Sequence, residues 1–364
     1  MYDYLTLGHR ILRSGDEHPD RTGIGRRSLF AQSLLFDLND GFPLVTTREI
    51  AFSSVVEELL WFIRGSTQVK ELQEKNVRFW DHWAVKDHHI DSFIKQYILP
   101  MFNEQIDADT VYGTCKEKLQ AYLGSIGPLY GQSWRQLAVS PMIQRLNGFL
   151  PDAILSAIAP DKRQTWENEH CDENILLMDY LRLRASSEVD QLQQLIQGLK
   201  DRPWSSRHVI SAWIPEYLPI EDIAPAHNVL LGRGALAPCH VYQQYFVSPP
   251  RRIGERHRLS LHLTQRSSDF AIGLPVNIAQ YALLLSLIAQ CVDMEPYQFH
   301  WCGIDVHLYQ NQINLMHTQL QRKPNPLPRI QLNPEIKDLY AFTADDIRLE
   351  GYTAHIGIRY PIAV

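Results

Sequence analysis

One thiol and one carboxylate in this sequence hold positions from which they could do chemistry. Cys239 sits in ALAPCHVYQQYFV. Pro238 holds the residue before it extended, and a β-branched, aromatic strand pattern follows the cysteine directly. The thiol therefore falls where a loop runs into a sheet. As a thiolate it is a nucleophile, which requires positive neighbours to lower its pKa. As a thiol it is one more small buried hydrophobe, and the local sequence leaves both readings open. Glu58 falls in SSVVEELLWFIRG, where Val55, Leu59 and Phe62 recur at i, i+4 and i+7. Three residues after Val55, it points along that apolar stripe. A carboxylate there loses hydration, its pKa rises, and it can shuttle protons; the alternative is a buried acid satisfied by an arginine. Ser54 and Glu57 have the spacing of a capping box, and Gly65 marks a helix stop.

Further polar residues recur at informative spacings. Asn277 and Gln280 stand before a long apolar run, three residues apart, the spacing of an N-cap with a reciprocal Gln. Arg266, Ser267 and Asp269 follow a stretch whose Leu259, Leu261 and Leu263 share one strand face. Arg and Ser together suit an anion, and equally a solvated strand end. His307 and Tyr309 alternate in DVHLY, a pattern most often met in a core. DRTGIG is glycine-rich but lacks the Lys and the spacing of a P-loop. His82, His88 and His89 make no ligand set and no HExxH occurs, so no metal is expected.

The elements that must position these residues are interspersed. An amphipathic helix is expected over residues 1–13, then a polar turn, then a strand in SLFAQSLLFDL and the helix that carries Glu58. Residues 85–126 and 138–200 are polar and helical in pattern, the latter ending in VDQLQQLIQGLK, and read as two helical insertions. From about residue 205 the pattern is β-rich, in RHVISAWI, HVYQQYFV and RLSLHLTQR. The apolar helix NIAQYALLLSLIAQCV follows, then HWCGIDVHLY, a strand running into a helix. With no regular βαβ period, the expected class is α+β: one large domain over residues 1–364, a mixed twisted sheet covered by helices, with the two insertions.

Composition narrows the function. The 364 residues are 45% apolar and 21% charged, a globular profile. The formal net charge of −6 leaves any anionic ligand to local positive residues and disfavours bulk nucleic-acid binding. Five cysteines, an odd number with no CxxC pair, fit a reduced, cytoplasmic compartment. Neither a signal peptide nor a membrane span is expected.

Taken together and in order, the segments DRTGIG, DGFPLVTT, EELLWFIRGST, NVRFWDHWA, GPLYGQSW, ALAPCHVYQQYFV, QRSSDFAIGLPVNIAQYALL, DVHLYQNQ and EGYTAHIGIRYPIAV resemble the thymidylate synthases over nearly the whole chain, the insertions apart. The resemblance implies reductive methylation of dUMP to dTMP, with 5,10-methylenetetrahydrofolate as cosubstrate and no metal. Cys239 would add to C6 of the pyrimidine, making C5 enolate-like. Glu58 would manage protons at O4, and Tyr130 would assist loss of the C5 proton. The folate would give first its carbon and then a hydride, leaving dihydrofolate. Asn277 would read the uracil N3–O4 edge; the related deoxycytidylate hydroxymethylases resemble this chain with Asp there. His307 and Tyr309 would bind the ribose. Arg21, Arg266 and Ser267 would hold the phosphate, with an arginine from the partner of an obligate homodimer. Arg207 is the arginine that aligns there. Trp80, Trp83, Asp269 and Gly273 would frame the folate, and Val364 would close over it.

Four positions depart from the family pattern. Where two adjacent arginines are usual before HVISAW, this chain has Ser206 and Arg207, or Arg207 and His208 in the shifted register. Val276 replaces a common Phe, Ala51 a His and Arg48 a Lys, all toward the folate. These leave a competing reading, a deoxyuridylate hydroxymethylase in which water, not hydride, completes the reaction to 5-hydroxymethyl-dUMP. Trp80 and Val364 argue against it, since both would exclude water. A third reading, a catalytically silent nucleotide- or RNA-binding relative, is opposed by the joint presence of Cys239 and Glu58.

Overall fold

The structure, a computed structural model, describes residues 1–20, 23–101, 107–138 and 188–362. In chain order the helices are α1 (Tyr2–Ser14), α2 (Phe52–Ile63), α3 (Val69–Gln73), α4 (Asp87–Phe93), α5 (Ala108–Leu119), α6 (Tyr130–Arg135), α7 (Gln191–Asp201), α8 (Pro225–Leu230), α9 (Gly273–Cys291) and α10 (Ile313–Leu320). The strands are β1 (Asp16–His18), β2 (Arg26–Asp37), β3 (Leu137–Ala138), β4 (Glu188–Val189), β5 (Val209–Ser211), β6 (His240–Ser248), β7 (Arg258–Asp269), β8 (Glu295–Tyr309), β9 (Arg329–Leu332) and β10 (Ile347–Glu350). The class is α+β, as the interspersed pattern implies.

The chain packs as two compact units. The first comprises Met1–Arg64, Leu192–Ala212 and Cys239–Val364. Its centre is a six-stranded mixed sheet in the order β1-β2-β8-β7-β6-β5, antiparallel except for the parallel pair β7–β8. That pair is joined by α9, the crossover that a parallel pair requires. Leu259, Leu261 and Leu263 of β7 are buried on one face, as their alternation predicts, beside Phe299 and Trp301 of β8. Against this face lies α9, apolar all round and buried from Leu274 to Ala289 save Val276 and Asn277. It is long and apolar enough to cross a membrane, but here it is a core helix. In α2, Glu58 is buried on the stripe of Val55, Leu59 and Phe62.

Three local expectations are corrected. Helix α2 starts at Phe52 with Ala51 at its N-cap, so Ser54 and Glu57 lie inside the helix and form no capping box. Helix α9 starts at Gly273, so Asn277 is also interior; an extra helical turn, begun by GLPV, precedes the run read as the helix. HWCGIDVHLY is all strand, the C-terminal part of the 15-residue β8. Gly65 does follow α2 with φ of 76°, a left-handed conformation that suits glycine.

The second unit comprises Gly65–Gln191 and Trp213–Pro238. The first expected insertion is helical over most of its described part, with Ile90, Ile94, Val111, Cys115 and Leu119 buried, and ends in a turn and an isolated bridge from Ser125 to Gln68. Lys116 reaches both Asp87 and Asp91, at 3.3 and 2.7 Å. The Lys116 bond, and after it one from the Tyr112 hydroxyl, hold Asp91 below the usual carboxylate range. Most of the second expected insertion, 139–187, lies outside the described residues; its last stretch forms α7, buried through Leu192, Leu195 and Leu199.

Candidate active site

Cys239 ends the loop that leads into β6 and is half-buried. Its carbonyl accepts the backbone N–H of Arg266 at 2.9 Å, so the cysteine and the arginine are neighbours across the β6–β7 ladder. The register shifts between His240 and Tyr242 at this point. Such a bulge re-aims side chains at the end of a strand. His240 is buried, its ring edge-on to Tyr281 of α9 with centroids 5.3 Å apart. Burial pulls its imidazole down to about 4, against a hydrogen bond with Asn277 that favours the charged form. At neutral pH it is uncharged.

The ends of β7 and β8 carry the next group. Parallel pairing sets Ser267 opposite Asp305 and Asp269 opposite His307. His307 is buried, and the Tyr309 ring meets it edge-on at 5.2 Å. Its Nδ1 lies 3.4 Å from Asp305 Oδ1 and 3.5 Å from Arg26 Nη1, while Arg26 and Asp305 pair at 2.9 Å. Burial would raise the Asp305 carboxyl, but the His307 bond and charge and the Arg26 charge hold it low. Asp269 Oδ1 accepts the N–H groups of Ala271 and Ile272, both at 2.9 Å, and so shapes the turn into α9. Burial lifts its carboxyl above the usual range despite those bonds. Gly273 opens the helix; a Cβ there would lie 3.6 Å from Asn277 Oδ1.

Asn277 and Glu58 belong to one hydrogen-bonded series. Gln265 Nε2 donates to Asn277 Oδ1 at 3.0 Å, and Asn277 Nδ2 donates to Gln280 Oε1 at 3.3 Å. Gln280 Nε2 donates in turn to Glu58 Oε2 at 2.5 Å. Gln265, Gln280 and Glu58 are all buried. The partner of the acid on this series is therefore an amide.

The C-terminal stretch is stitched onto the same unit. His355 N–H bonds Thr46 C=O at 2.9 Å, Tyr360 O–H donates to Gln319 at 2.7 Å, and Gln312 Nε2 donates to Pro361 C=O at 3.1 Å. Gln312 also accepts from Tyr309 N–H at 3.2 Å, which ties the tail to the end of β8. Arg48 donates to Ala271 C=O at 2.5 Å and lies 5.3 Å from the Tyr360 ring centre. The residue read as a departure from a common Lys thus anchors both the α9 turn and the tail. Val364 and Arg21 lie outside the described residues.

Arg207 is exposed, on the approach to the edge strand β5. Ser211 pairs with Tyr242 and Val209 with Gln244, so Arg207 lies beyond the Gln244 end of β6, away from Cys239. One chain does not bring it to Arg266. His208, its neighbour in the shifted register, is buried and bonds Arg202 C=O at 2.9 Å, a structural role. In the second unit, Tyr130 starts α6, buried, with Trp80 edge-on at 6.3 Å and Trp134 at 6.4 Å. Trp83 packs edge-on against His82 at 5.1 Å.

The first unit thus carries a thiol beside an arginine, a buried carboxylate wired to an amide and a His–Tyr pair at one strand end. The family model described as Thymidylate synthase matches residues 2–364. This chain belongs to the thymidylate synthase family. It is thereby an enzyme of the kind that acts on dUMP with a folate. Sequence reasoning gave no site role to four residues that join these groups. Gln265 extends the Leu259, Leu261, Leu263 alternation, and a polar residue at a buried position was the available signal. Gln280 was noticed but assigned to a cap. His240 adjoins the cysteine, and Trp301, described below, reads locally as core.

Proposed function

We propose that the protein is a thymidylate synthase proper, converting dUMP to dTMP and 5,10-methylenetetrahydrofolate to dihydrofolate. The observation that carries this reading is the adjacency of Cys239 and Arg266 at the strand end. Arg266, with Ser267, holds the nucleotide phosphate, and its charge favours the thiolate of Cys239. That thiolate adds to C6, which makes C5 electron-rich. Asn277 offers its amide to the N3–O4 edge of uracil. Glu58, fixed by Gln280, exchanges protons at O4. Tyr130 assists removal of the C5 proton, with Trp80 beside it to exclude water. His307 and Tyr309 hold the ribose; Arg21 adds to the phosphate site. The folate, when bound, supplies both the one-carbon unit and the hydride, with Trp83, Asp269, Gly273 and Val364 around it. Residues present fit both ligands: an amide for the base, cations for the phosphate, and aromatic faces for the pterin.

The reading extends to a cytoplasmic homodimer. Cys115, Cys291 and Cys302 are free thiols among the described residues, as a reducing compartment favours. The sheet face opposite α9 carries exposed Leu35, Phe246 and Ile304, which a second copy would cover. The exposed Arg207, remote from Cys239 in its own chain, is then free to serve the partner's phosphate site. No membrane or nucleic-acid partner is proposed.

A product assay tests the chemistry. Incubation with dUMP and methylenetetrahydrofolate should release dihydrofolate, seen as an absorbance rise, together with dTMP. Unchanged tetrahydrofolate with 5-hydroxymethyl-dUMP would instead establish the hydroxymethylase. Cys239→Ser should abolish turnover while nucleotide binding persists, because a neutral hydroxyl is a far weaker nucleophile; near-native turnover would refute the assignment.

A further inference from the structure

The series that ends on Glu58 begins on a group that can only donate. The indole Nε1 of Trp301 donates to Gln265 Oε1, and Trp has no acceptor with which the roles could be reversed. Trp301 is fully buried. Its indole lies over Gly303, where a Cβ would stand 2.5 Å from Cζ2, so only glycine leaves room for the ring in this position. With Oε1 of Gln265 held at the indole, Nε2 faces Asn277 as a donor, and Oδ1 is the end of the Asn277 amide that meets it. Nδ2 is left toward Gln280 Oε1, and Gln280 Nε2 toward Glu58. Every amide along the path is oriented in the sense the first donor sets, and the carboxylate of Glu58, as an acceptor, favours the same sense at the far end.

An asparagine amide is nearly symmetric in shape but not in chemistry. With Oδ1 toward N3–H and Nδ2 toward O4 it matches uracil. Rotated by half a turn it matches cytosine, whose N3 accepts and whose 4-amino group donates. We propose that Trp301 is the positioning residue for base choice: its indole N–H, acting through Gln265, fixes the Asn277 amide in the orientation that selects uracil over cytosine. This rests on the reading of Asn277 as the residue that meets the base.

The test is the ratio of dUMP to dCMP affinity, measured by calorimetric titration of the full chain. Trp301→Phe keeps an aromatic ring and removes the donor, freeing Gln265 and Asn277 to rotate. The ratio should fall about tenfold, the scale of one misplaced hydrogen bond. Gln265→Glu places an acceptor opposite Asn277, turns the amide over, and should move the ratio further in the same direction. Asn277→Asp is the reference. If all three variants lower the ratio, the proposal stands. If Asn277→Asp lowers it while the other two weaken both nucleotides equally, Trp301 and Gln265 are merely structural and the proposal fails, though the base reader stands. If Asn277→Asp leaves the ratio unchanged, the base reader itself is wrong and the proposal falls with it. Thermal melts exclude unfolded variants; should Trp301→Phe not fold, Gln265→Glu alone decides, an unchanged ratio overturning the proposal.

Discussion

The two faces of the six-stranded sheet are built from the same strands, yet they treat polar residues in opposite ways. On the face beneath α9, Leu261, Leu263, Phe299 and Trp301 are buried, and the polar residues Gln243, Tyr245 and Gln265 among them are wired. Tyr245 O–H donates to Gln243 at 3.0 Å, and Gln265 is held between Trp301 and Asn277. On the opposite face, His262, His300, Thr264 and Tyr242 lie half-exposed among the exposed Leu35, Phe246 and Ile304. An unpaired polar group costs little beside water and roughly 1–3 kcal/mol in a core. A polar residue under α9 that finds a fixed partner gains from it an orientation that chemistry can use. On the open face the same residue types are free of that constraint.

The largest expected effect separates the faces by stability. Leu263, fully buried under α9, should lose about 2–5 kcal/mol on truncation to alanine, the range for buried leucines. Leu35, at 53% exposure in the single chain, should lose no more than about 0.5 kcal/mol where that face meets water, and more only where a second copy covers it. Denaturant titrations at one protein concentration make the comparison. Equal losses would mean that Leu35 is as deeply covered as Leu263, and the contrast between faces would break.

Histidines sharpen the same contrast. His240, packed on Tyr281 under α9, has its imidazole pulled down to about 4 by burial, against an ordinary value of 6.5. The unfolded chain binds this proton first, so stability is unaffected above about pH 6.5 and is lost as pH falls from there to about 4. The full loss is about 3 kcal/mol at the conversion of 1.36 kcal/mol per pKa unit. His240→Asn should flatten the stability curve across that window by about one proton. A variant with an unaltered slope would show that His240 is not the group responsible.

The fold was legible where periodicity is strong. The Leu259, Leu261, Leu263 alternation and the all-apolar run of α9 each admit one solution, and both formed it. Boundaries were less legible, because the turn GLPV can begin a helix or precede one; Asp269, by accepting the N–H groups of Ala271 and Ile272, decides the matter. The buried position of Glu58 was readable from helix geometry, its partner Gln280 was not, since hydrogen bonds between residues 222 positions apart leave no local spacing to read. Asn277 could be matched to a role by resemblance, yet the direction of its amide depends on Trp301, a residue that by type and neighbours reads as core. Polar residues at buried register positions, such as Gln265, were the usable signal.

The smallest expected effect belongs to the open face. His262 and His300 stack at 5.0 Å, with their Nδ1 atoms 2.8 Å apart, and His262 Nε2 lies 2.9 Å from Thr264 Oγ1. One Nδ1 must carry a hydrogen and the other must accept it, so the pair accommodates one proton between its facing nitrogens and resists a second. Burial lowers both imidazoles, and His300 lowers His262 further. The groups around them on neighbouring strands, Tyr242, Gln244, Thr264 and Cys302, carry no charge at neutral pH that would favour imidazolium. The sign is that of His240: stability is constant above about pH 6.5 and declines as pH falls. Both rings are partly solvated, however, which screens their repulsion and limits the change to less than about 1 kcal/mol. His300→Val should therefore flatten the acid limb of the stability curve by much less than His240→Asn does. If the two variants flatten it equally, the open face is as dry as the covered one in the protein that unfolds, which is the result expected if a second copy seals that face down to the lower end of the titration.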